Sequence, residues 1–503
     1  MEFKNPVLPG FYPDPSICRA NGKYYLINST FQYFPGIPIH ESTDLVNWKL
    51  VGHVLTRESQ LPLSEAGNSG GIFAPTIRFN KGRFYMVVTN VSHGGNFYVW
   101  TDDIYGEWSD PIWIDQDGID PSFYFEGDTC YFMTNGTDDE GNGGIIQCEI
   151  DIETGKILTK KKRIWTGNGG RYLEGPHLYK VGDTYYLIAA EGGTEYGHMV
   201  IAAKGPTPYG PFTGVENNPI LTNRNLGGYE IQGVGHADLI EDYDGNYWMV
   251  HLAYRQLGQW LMFHTTGRET YLVPVDITED GISCGENGTT RYSFKTNRLA
   301  DDVKQMPIGP LSFANTAPGM DWIYIRGCKK ENYDADFKKN SVKLYGAEPI
   351  NKDLSYPTFL GIRQQEMRGE LSIDVTPGDG IGGISVYMDN EHHYDLCVSK
   401  GNNRLKISRR VVIGKVNYVP EYVEAEGENV TLKVKLTPEN YIFSANVSNT
   451  EYELGTSEAR YISTEVACGF TGVLLSMFAE SKEGSDASCS QPFEFKDLYL
   501  KYE

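Results

Sequence analysis

The amino-acid sequence predicts an all-β protein made of a five-bladed β-propeller followed by a β-sandwich. Aromatic residues make up 13% of the 503-residue chain and 56 residues are glycine, a composition that favours short strands joined by tight turns. A degenerate hairpin pattern recurs five times within the first three hundred residues. The last part of the chain again alternates apolar and polar residues, but without that repeat.

The repeat consists of a small or ionisable residue, an apolar strand, a turn that contains glycine, and a strand rich in aromatic residues. The turn glycines are Gly22, Gly82, Gly127, Gly182 and Gly245. Consecutive turn glycines lie 45 to 63 residues apart, which leaves room for the four strands of one blade. The residues that open the units are predicted at equivalent positions, at the start of the innermost strand beside the central channel: Asp14, Ala74, Asp120, Glu174 and His236.

The stretch from about Asn297 to Met320 holds prolines, glycine and small residues without strand periodicity, as a linker does. We therefore expect the propeller over residues 1–305, the linker over 306–320 and the sandwich over 321–503. The second domain shows no convergent acids or histidines of its own in the sequence. This pattern assigns the chemistry to the propeller.

The net charge of −22 argues against nucleic acid and anionic lipid as partners, because both require a basic surface. A neutral oligosaccharide fits this charge better, and a homo-oligomer is left open. The eight cysteines form no CxxC pair, which indicates reduced, buried thiols. With no apolar run typical of a signal peptide, we expect a cytoplasmic location, unless a signal peptide was removed.

Three of the five opening residues are carboxylic acids: Asp14, Asp120 and Glu174. Hydrolysis of a glycosidic bond requires one carboxyl group that protonates the leaving oxygen and one carboxylate that activates water or attacks the sugar. Three neighbouring acids cannot all ionise readily, so at least one pKa is expected to rise. A single Asp-Pro-Ser is more often a turn signal, but two copies in register with a Glu-Gly-Pro favour a catalytic cluster.

Four further residues are candidates with an ordinary alternative each. His236 is either a buried histidine satisfied by the backbone or a channel residue that holds a cation or orients a carboxylate. Arg268 is either a surface arginine or a channel residue that bonds sugar hydroxyls or a carboxylate. Phe31 and Phe73 are either core residues or a wall against the C–H face of a sugar.

At these residues the sequence resembles glycoside hydrolase family 43, in particular its β-xylosidases and α-L-arabinofuranosidases. The resemblance covers nearly the whole chain and rests on YPDPS, SGGIFAPT, GIDPSF, YLEGPHLY, GHADLIE and GRET, which occur in the family's order. It implies the same propeller and sandwich, and a single displacement that inverts the anomeric carbon.

The resemblance also implies roles for individual residues. Asp14 is expected to be the general base, Glu174 the general acid, and Asp120 the carboxylate that orients the acid and keeps its pKa high. The family's pocket for the non-reducing-end sugar corresponds to Phe31, Phe73, Ala74, Thr194, His236 and Arg268. No cofactor is required for the chemistry. Several members bind calcium through waters at the histidine that corresponds to His236, so a channel Ca2+ is allowed here.

The expected function is exo-acting release of a non-reducing-end pentose from xylo-oligosaccharides, with or without α-L-arabinofuranosidase activity. Two differences from strict β-xylosidases leave open an α-L-arabinofuranosidase acting on arabinoxylan or arabinan. Phe73 stands where many xylosidases have tryptophan, and Leu474 stands where some have phenylalanine near the site mouth. A non-catalytic carbohydrate-binding propeller is a third alternative, against which the intact set of acids argues.

Overall fold

The computed structural model describes residues 1–258, 260–278, 281–301, 303–401, 404–481 and 488–503. The predicted all-β class is confirmed, because strands make up nearly all of the regular structure. The helical elements of the described residues are each three or four residues long. They are the 3₁₀ turns Phe313–Asn315, Lys330–Asn332, Phe337–Lys339 and Ala459–Ile462, and the α-helix Thr464–Ala467.

Five four-stranded antiparallel sheets form the predicted five blades. Before blade one is complete, two described strands lie outside the blades, namely β1 (Glu2–Lys4) and β4 (Tyr33–Phe34), and a third follows blade five. Blade one is β2 (Ser16–Ala20), β3 (Lys23–Ile27), β5 (Gly36–Ser42) and β6 (Lys49–Leu55). Blade two is β7 (Thr76–Asn80), β8 (Arg83–Asn90), β9 (Gly95–Thr101) and β10 (Ile112–Trp113). Blade three is β11 (Ile119–Glu126), β12 (Thr129–Thr137), β13 (Gly143–Ile150) and β14 (Lys162–Trp165). Blade four is β15 (Glu174–Val181), β16 (Thr184–Glu191), β17 (Met199–Gly205) and β18 (Thr213–Gly214). Blade five is β19 (Ile231–Glu241), β20 (Tyr247–Arg255), β21 (Glu269–Thr278) and β22 (Gly281–Cys284).

The repeated glycines lie where the sequence pattern places them, in the turns between the first two strands of each blade. In blade one, Ala20 pairs with Lys23, so that Asn21 and Gly22 form a two-residue turn with φ of 53° and 78°. This turn requires two residues in the left-handed region, which Asn and Gly tolerate best. After blade five, β23 (Ser293–Lys295) pairs with β1 and ties the chain's first residues to the end of the propeller.

The second domain is a sandwich of two antiparallel sheets, as predicted. Its larger sheet runs β32 (Val416–Ala425), β31 (Arg404–Ile413), β30 (His392–Gly401), β29 (Ile381–Asp389), β36 (Leu474–Glu480), β27 (Thr358–Arg363), β24 (Trp322–Ile325) and β4. Its smaller sheet runs β25 (Tyr333–Asp336), β26 (Ser341–Leu344), β37 (Phe493–Tyr502), β28 (Gly369–Thr376), β33 (Val430–Leu436), β34 (Asn440–Val447) and β35 (Thr450–Glu458). Alternating apolar residues of both sheets form the core between them, as in other sandwiches.

Strand β4 belongs to the propeller by sequence and to the sandwich by pairing. Tyr33 pairs with Ile325 and Phe34 with Tyr324, which makes β4 the edge strand of the larger sandwich sheet. A separate apolar cluster joins the two domains at this place. It contains Phe11, Phe31, Tyr33, Ile323, Ile325, Ile350, Phe359, Tyr387, Cys397, Leu474 and Phe478. The domains therefore share both a sheet and a core.

Two expectations about the second domain and the cysteines were wrong in part. The sandwich does contain a convergent polar cluster, in which Arg410 bonds Asp395 at 2.5 Å and both oxygens of Glu480 at 2.9 Å. His393 completes this cluster with contacts of 2.9 and 3.0 Å to Asp395. These charges are paired with one another, as buried charges usually are. Five cysteines are buried as expected, but Cys468 is exposed.

No helix in the described ranges is long and apolar enough to cross a membrane.

Candidate active site

A cavity of about 460 Å³ opens at the propeller channel where the sandwich meets it, a volume within the range typical of small-molecule sites. All nine residues predicted for the site line this cavity: Asp14, Phe31, Phe73, Ala74, Asp120, Glu174, Thr194, His236 and Arg268. The other residues around it are Ile119, Tyr172, Gly193, Glu195, Thr464, Cys468, Gly469 and Phe470. None of this second group was predicted from the sequence.

The polar residues reach the channel through a repeated backbone corner. Asp14, Asp120 and His236 have φ of 50°, 55° and 47°, in the left-handed region that is uncommon for residues other than glycine. In blade four this corner is Gly175, with φ of 59°. The prediction that Glu174 occupies the position equivalent to Asp14 was therefore wrong by one residue. Glu174 precedes the corner, as Ile119 does in blade three, where β11 has the same register shift as β15, and both residues line the cavity.

Asp14 is buried and held by hydrogen bonds on both oxygens. The Ser29 hydroxyl donates to one oxygen at 2.5 Å, and Arg268 donates to the other at 3.0 Å. Burial would raise the pKa of Asp14. The charge of Arg268 is the strongest influence that lowers this pKa, and His236 and the Ser29 hydroxyl lower it further. Together they outweigh the effect of burial, so the pKa of Asp14 is lowered. Asp14 is therefore ionised throughout the neutral range.

Asp120 and Glu174 have pKa values shifted in the opposite direction. Burial, followed by repulsion from Glu174 and Asp14, raises the pKa of Asp120 well above its ordinary range. Burial and the charge of Asp14 raise the pKa of Glu174 to about 7, against the opposing charge of Arg268. Asp120 accepts a hydrogen bond from the Gly175 amide at 3.2 Å. The pair therefore retains a proton near neutral pH.

The carboxyl group of Glu174 makes no hydrogen bond to a protein group within the described ranges. It is half-buried, whereas Asp14 and Asp120 are buried. A protonated carboxyl group in this position can donate its proton to a ligand in the cavity. Two acids whose environments separate their pKa values are the arrangement that acid–base catalysis requires.

His236 lies between the acids. Its Nδ1 atom is 3.9 Å from an oxygen of Asp14 and 4.0 Å from an oxygen of Asp120. Burial lowers the pKa of His236, and although the Asp14 carboxylate opposes this effect, the imidazole stays neutral at pH 7. Gly175 leaves room for the ring, because a Cβ atom there would lie 3.1 Å from Cε1 of His236.

Arg268 connects the acid cluster to both domains. Its Nη1 atom donates to Asp14 and to the Thr194 hydroxyl, each at 3.0 Å, and Nη2 donates to the Phe470 carbonyl at 3.3 Å. The preceding Gly267 packs backbone to backbone on Gly472 of the sandwich, where a Cβ atom would lie 2.9 Å from Cα. This close approach of the two domains lets one guanidinium bond groups from both.

Three phenylalanine rings form the apolar wall of the cavity. Phe31 lies 5.4 Å from Phe73 and 5.8 Å from Phe470 between ring centroids. A two-way backbone bridge between Phe31 and Ile72, at 2.9 and 3.1 Å, places the first two rings side by side. The guanidinium of Arg268 lies 5.8 Å from the Phe31 centroid and 5.4 Å from that of Phe470, within the range of cation–π contacts.

The sandwich supplies its ring from a different residue than the sequence indicated. Leu474 is fully buried in the interdomain cluster and does not line the cavity. Phe470, four residues earlier in the same FTGVLLS segment, does. Only the fold distinguishes them, since Leu474 begins strand β36 whereas Phe470 lies in the loop before it.

A propeller channel that brings three carboxylic acids together in a pocket capped by a β-sandwich is the arrangement expected of a glycoside hydrolase. Residues 3–283 match the model of glycosyl hydrolases family 43. Residues 311–496 match that of the β-xylosidase C-terminal concanavalin A-like domain. The chain belongs to glycoside hydrolase family 43, as the sequence resemblance implied.

Three relatives illustrate the similarity. A non-reducing end α-L-arabinofuranosidase of Bacteroides ovatus is 34% identical, over 98% of this chain and 93% of its own length. A xylan 1,3-β-xylosidase of a Vibrio species is 42% identical over 90% of both chains. The crystal structure of xylan β-1,4-xylosidase from Bacillus halodurans superposes with a TM-score of 0.89 at 29% identity and covers 100% of both chains.

Proposed function

We propose that the enzyme releases a single pentose from the non-reducing end of xylo-oligosaccharides by an inverting displacement. The observation that carries this proposal is the ionised Asp14 and the protonated Glu174 within one pocket. The names of the relatives, which include xylosidases and an arabinofuranosidase, support a pentose as the sugar released.

In the proposed reaction, Asp14 removes a proton from a water molecule as the water oxygen bonds to the anomeric carbon. The bond from that carbon to the leaving oxygen breaks, and Glu174 transfers its proton to this oxygen. Asp120 orients Glu174, and burial together with the charge of Asp14 keeps the proton in place. Arg268 and Thr194 bond the hydroxyl groups of the sugar, while Phe31, Phe73 and Phe470 pack against its C–H face.

The shape of the cavity favours a chain end over the middle of a polymer. Its inner part is made of the buried residues Asp14, Ala74 and His236, and both domains contribute to its wall. A substrate that enters such a pocket can place only its terminal sugar against the acids. We therefore propose exo-acting hydrolysis.

An early digest of xylohexaose tests this function. We expect xylose and xylopentaose as the first products, and poor activity on polymeric xylan. Xylobiose and xylotriose as first products would contradict the exo-acting pocket. Parallel assays with aryl β-D-xylopyranoside and aryl α-L-arabinofuranoside determine which pentose is preferred, and a protein that hydrolyses none of these substrates would be a binding module instead.

A second candidate is an α-L-arabinofuranosidase that removes side chains from arabinoxylan or arabinan. Phe73 favours this second candidate, because a phenylalanine ring beside Phe31 leaves more space in the cavity wall than a tryptophan ring would. Removal of arabinose from arabinoxylan without release of xylose would support this candidate.

A calcium ion bound in the channel is also proposed. His236 makes no hydrogen bond within the described ranges although it is buried. Ligand atoms of Asp120, Glu174 and His236 lie within 4.8 Å of one another. Oxygen-rich sites with bound waters suit Ca2+, so these residues fit a hydrated ion held at His236 through water. Such an ion would supply positive charge that fixes the geometry of the site.

Removal of this ion is expected to reduce activity several-fold, because the acid cluster would lose a positive charge beside it. The measurement compares turnover before and after dialysis against a chelator, with metal content verified, and after calcium is restored. Full activity in protein shown to be free of metal would contradict the proposal and leave His236 as a buried neutral histidine.

A further inference from the structure

The outer part of the pocket carries an aromatic residue to which no role has been given. Tyr172 lines the cavity, is 63% exposed, and lies two residues before Glu174. Its φ of 54° is in the left-handed region, which is a costly conformation for a bulky side chain. Strained residues of this kind are concentrated at binding and catalytic sites.

The burial of the lining residues orders the pocket from inside to outside. Asp14 and Arg268 are buried, Glu174 is half-buried, and Tyr172 is exposed. The sugar that is released as a monosaccharide lies against the buried end. The oxygen that Glu174 protonates connects this sugar to the leaving group, so the leaving group lies beyond Glu174, at the exposed rim.

The tyrosine is held by a loop that is fixed from beneath. Glu191 is buried and accepts hydrogen bonds from the amides of Asn168 at 2.7 Å and Gly170 at 3.1 Å. A Cβ atom at Gly167 or Gly170 would lie 2.1 or 2.6 Å from the carboxylate oxygens of Glu191. The loop that leads to Tyr172 is therefore anchored by the buried Glu191 side chain, which has little space around it.

The following turn supports the tyrosine ring directly. A Cβ atom at Gly193 would lie 3.0 Å from Cδ2 of Tyr172. Arg171 lies 5.2 Å from the ring centroid, donates to the Gly192 carbonyl at 3.1 Å, and forms an ion pair with Glu195. The same turn carries Thr194, which bonds Arg268 inside the pocket. The ring is thus positioned relative to the catalytic acids while it remains accessible.

We infer that Tyr172 forms the binding subsite for the leaving-group sugar and determines the preference for oligosaccharides over simple glycosides. This inference rests on the proposed function and names a residue that acts in it. The ring packs against the C–H face of the first sugar of the leaving group. The sandwich also contributes to the lining of this cavity, through Cys468 and Gly469.

The test compares two substrates of whichever pentose the wild-type enzyme hydrolyses, the disaccharide and the methyl glycoside. Both place the same sugar in the inner pocket, but only the disaccharide has a sugar ring to pack on Tyr172. Tyr172→Ala is expected to lower kcat/KM for the disaccharide about ten-fold and to leave kcat/KM for the methyl glycoside within about two-fold. Inhibition by the free pentose should remain unchanged.

Companion variants separate the role of the ring from stability. Tyr172→Phe keeps the ring and should retain disaccharide hydrolysis. Tyr172→Gly lacks the ring, but glycine adopts the left-handed backbone without strain. This glycine variant should therefore fold stably and show the same substrate pattern as Tyr172→Ala. Tyr499→Ala, an exposed tyrosine of the sandwich, is the control and should change neither activity.

If Tyr172→Ala lowered kcat/KM equally for the disaccharide and the methyl glycoside, Tyr172 would only support the acid site. If kcat/KM fell for neither substrate, the ring would not contact the leaving group. Both results would overturn the inference. They differ from failure of the proposed function, in which the wild-type enzyme itself hydrolyses no pentoside.

Discussion

Replacement of Asp14 by asparagine is expected to lower turnover by roughly 10²–10⁴-fold on every substrate, whatever its leaving group. The amide cannot accept the proton of the attacking water, and water must attack in each case. Asparagine has nearly the same volume, and its amide oxygen can still accept a hydrogen bond from Ser29 or Arg268. The loss should therefore reflect chemistry and not unfolding.

The same variant should change the pH dependence of the remaining activity. The negative charge of Asp14 helps to raise the pKa of Glu174, so its removal should shift the alkaline fall in kcat/KM to lower pH. Rates over a pH series, with thermal unfolding measured alongside, check both expectations. Asp110→Asn, at an exposed position, is the matched control. A rate near that of the wild type would end the assignment of Asp14 as the base.

Replacement of Glu174 by glutamine is expected to have a large effect that depends on the leaving group. Oligosaccharides require protonation of the leaving oxygen and should lose roughly 10²–10⁴-fold in kcat/KM. Aryl glycosides with strongly electron-withdrawing substituents leave without a proton and should lose far less. Equal losses on both kinds of substrate would contradict the role of Glu174 as the acid.

The pH profile gives a second measure of this role. Glu174 must be protonated to act, and its pKa is raised to about 7, so the wild-type kcat/KM should fall as the pH rises through that value. Asp14 must be ionised, and because its pKa is lowered, it should stay ionised well below neutral pH. In Glu174→Gln the alkaline fall near pH 7 should disappear. Glu107→Gln, at an exposed position, is the control and should keep the alkaline fall in kcat/KM near pH 7.

Much of the fold could be predicted because each blade repeats a local pattern. A two-residue turn such as Asn21–Gly22 needs particular residues, and the strands on either side of it alternate visibly in the sequence. The convergence of Asp14, Asp120 and His236 follows from this repeat, since equivalent positions of a propeller face one channel. The sequence therefore indicated the acid cluster without knowledge of any distance.

The remaining features depend on contacts between segments far apart in the chain. The one-residue offset of Glu174 arises because Gly175 occupies the backbone corner of blade four, which alternation of residue types does not reveal. Tyr172 lies in a loop whose path is determined by the buried Glu191. Phe470 reaches the pocket because Gly267 and Gly472 approach closely. Pairing of β4 with the sandwich sheet likewise has no local signal, because only two residues are involved.

The shared strand β4 has a consequence for how this enzyme can evolve. A two-residue strand two positions after Phe31 joins the edge of the sandwich sheet, so the pocket wall and the second domain are not independent modules. Exchange of the sandwich for an unrelated domain would leave Tyr33 and Phe34 without partners and would remove Phe470 from the site. Recombination at the linker should therefore be tolerated only between close relatives, and substitutions in the two domains should accumulate as compensating pairs across this junction.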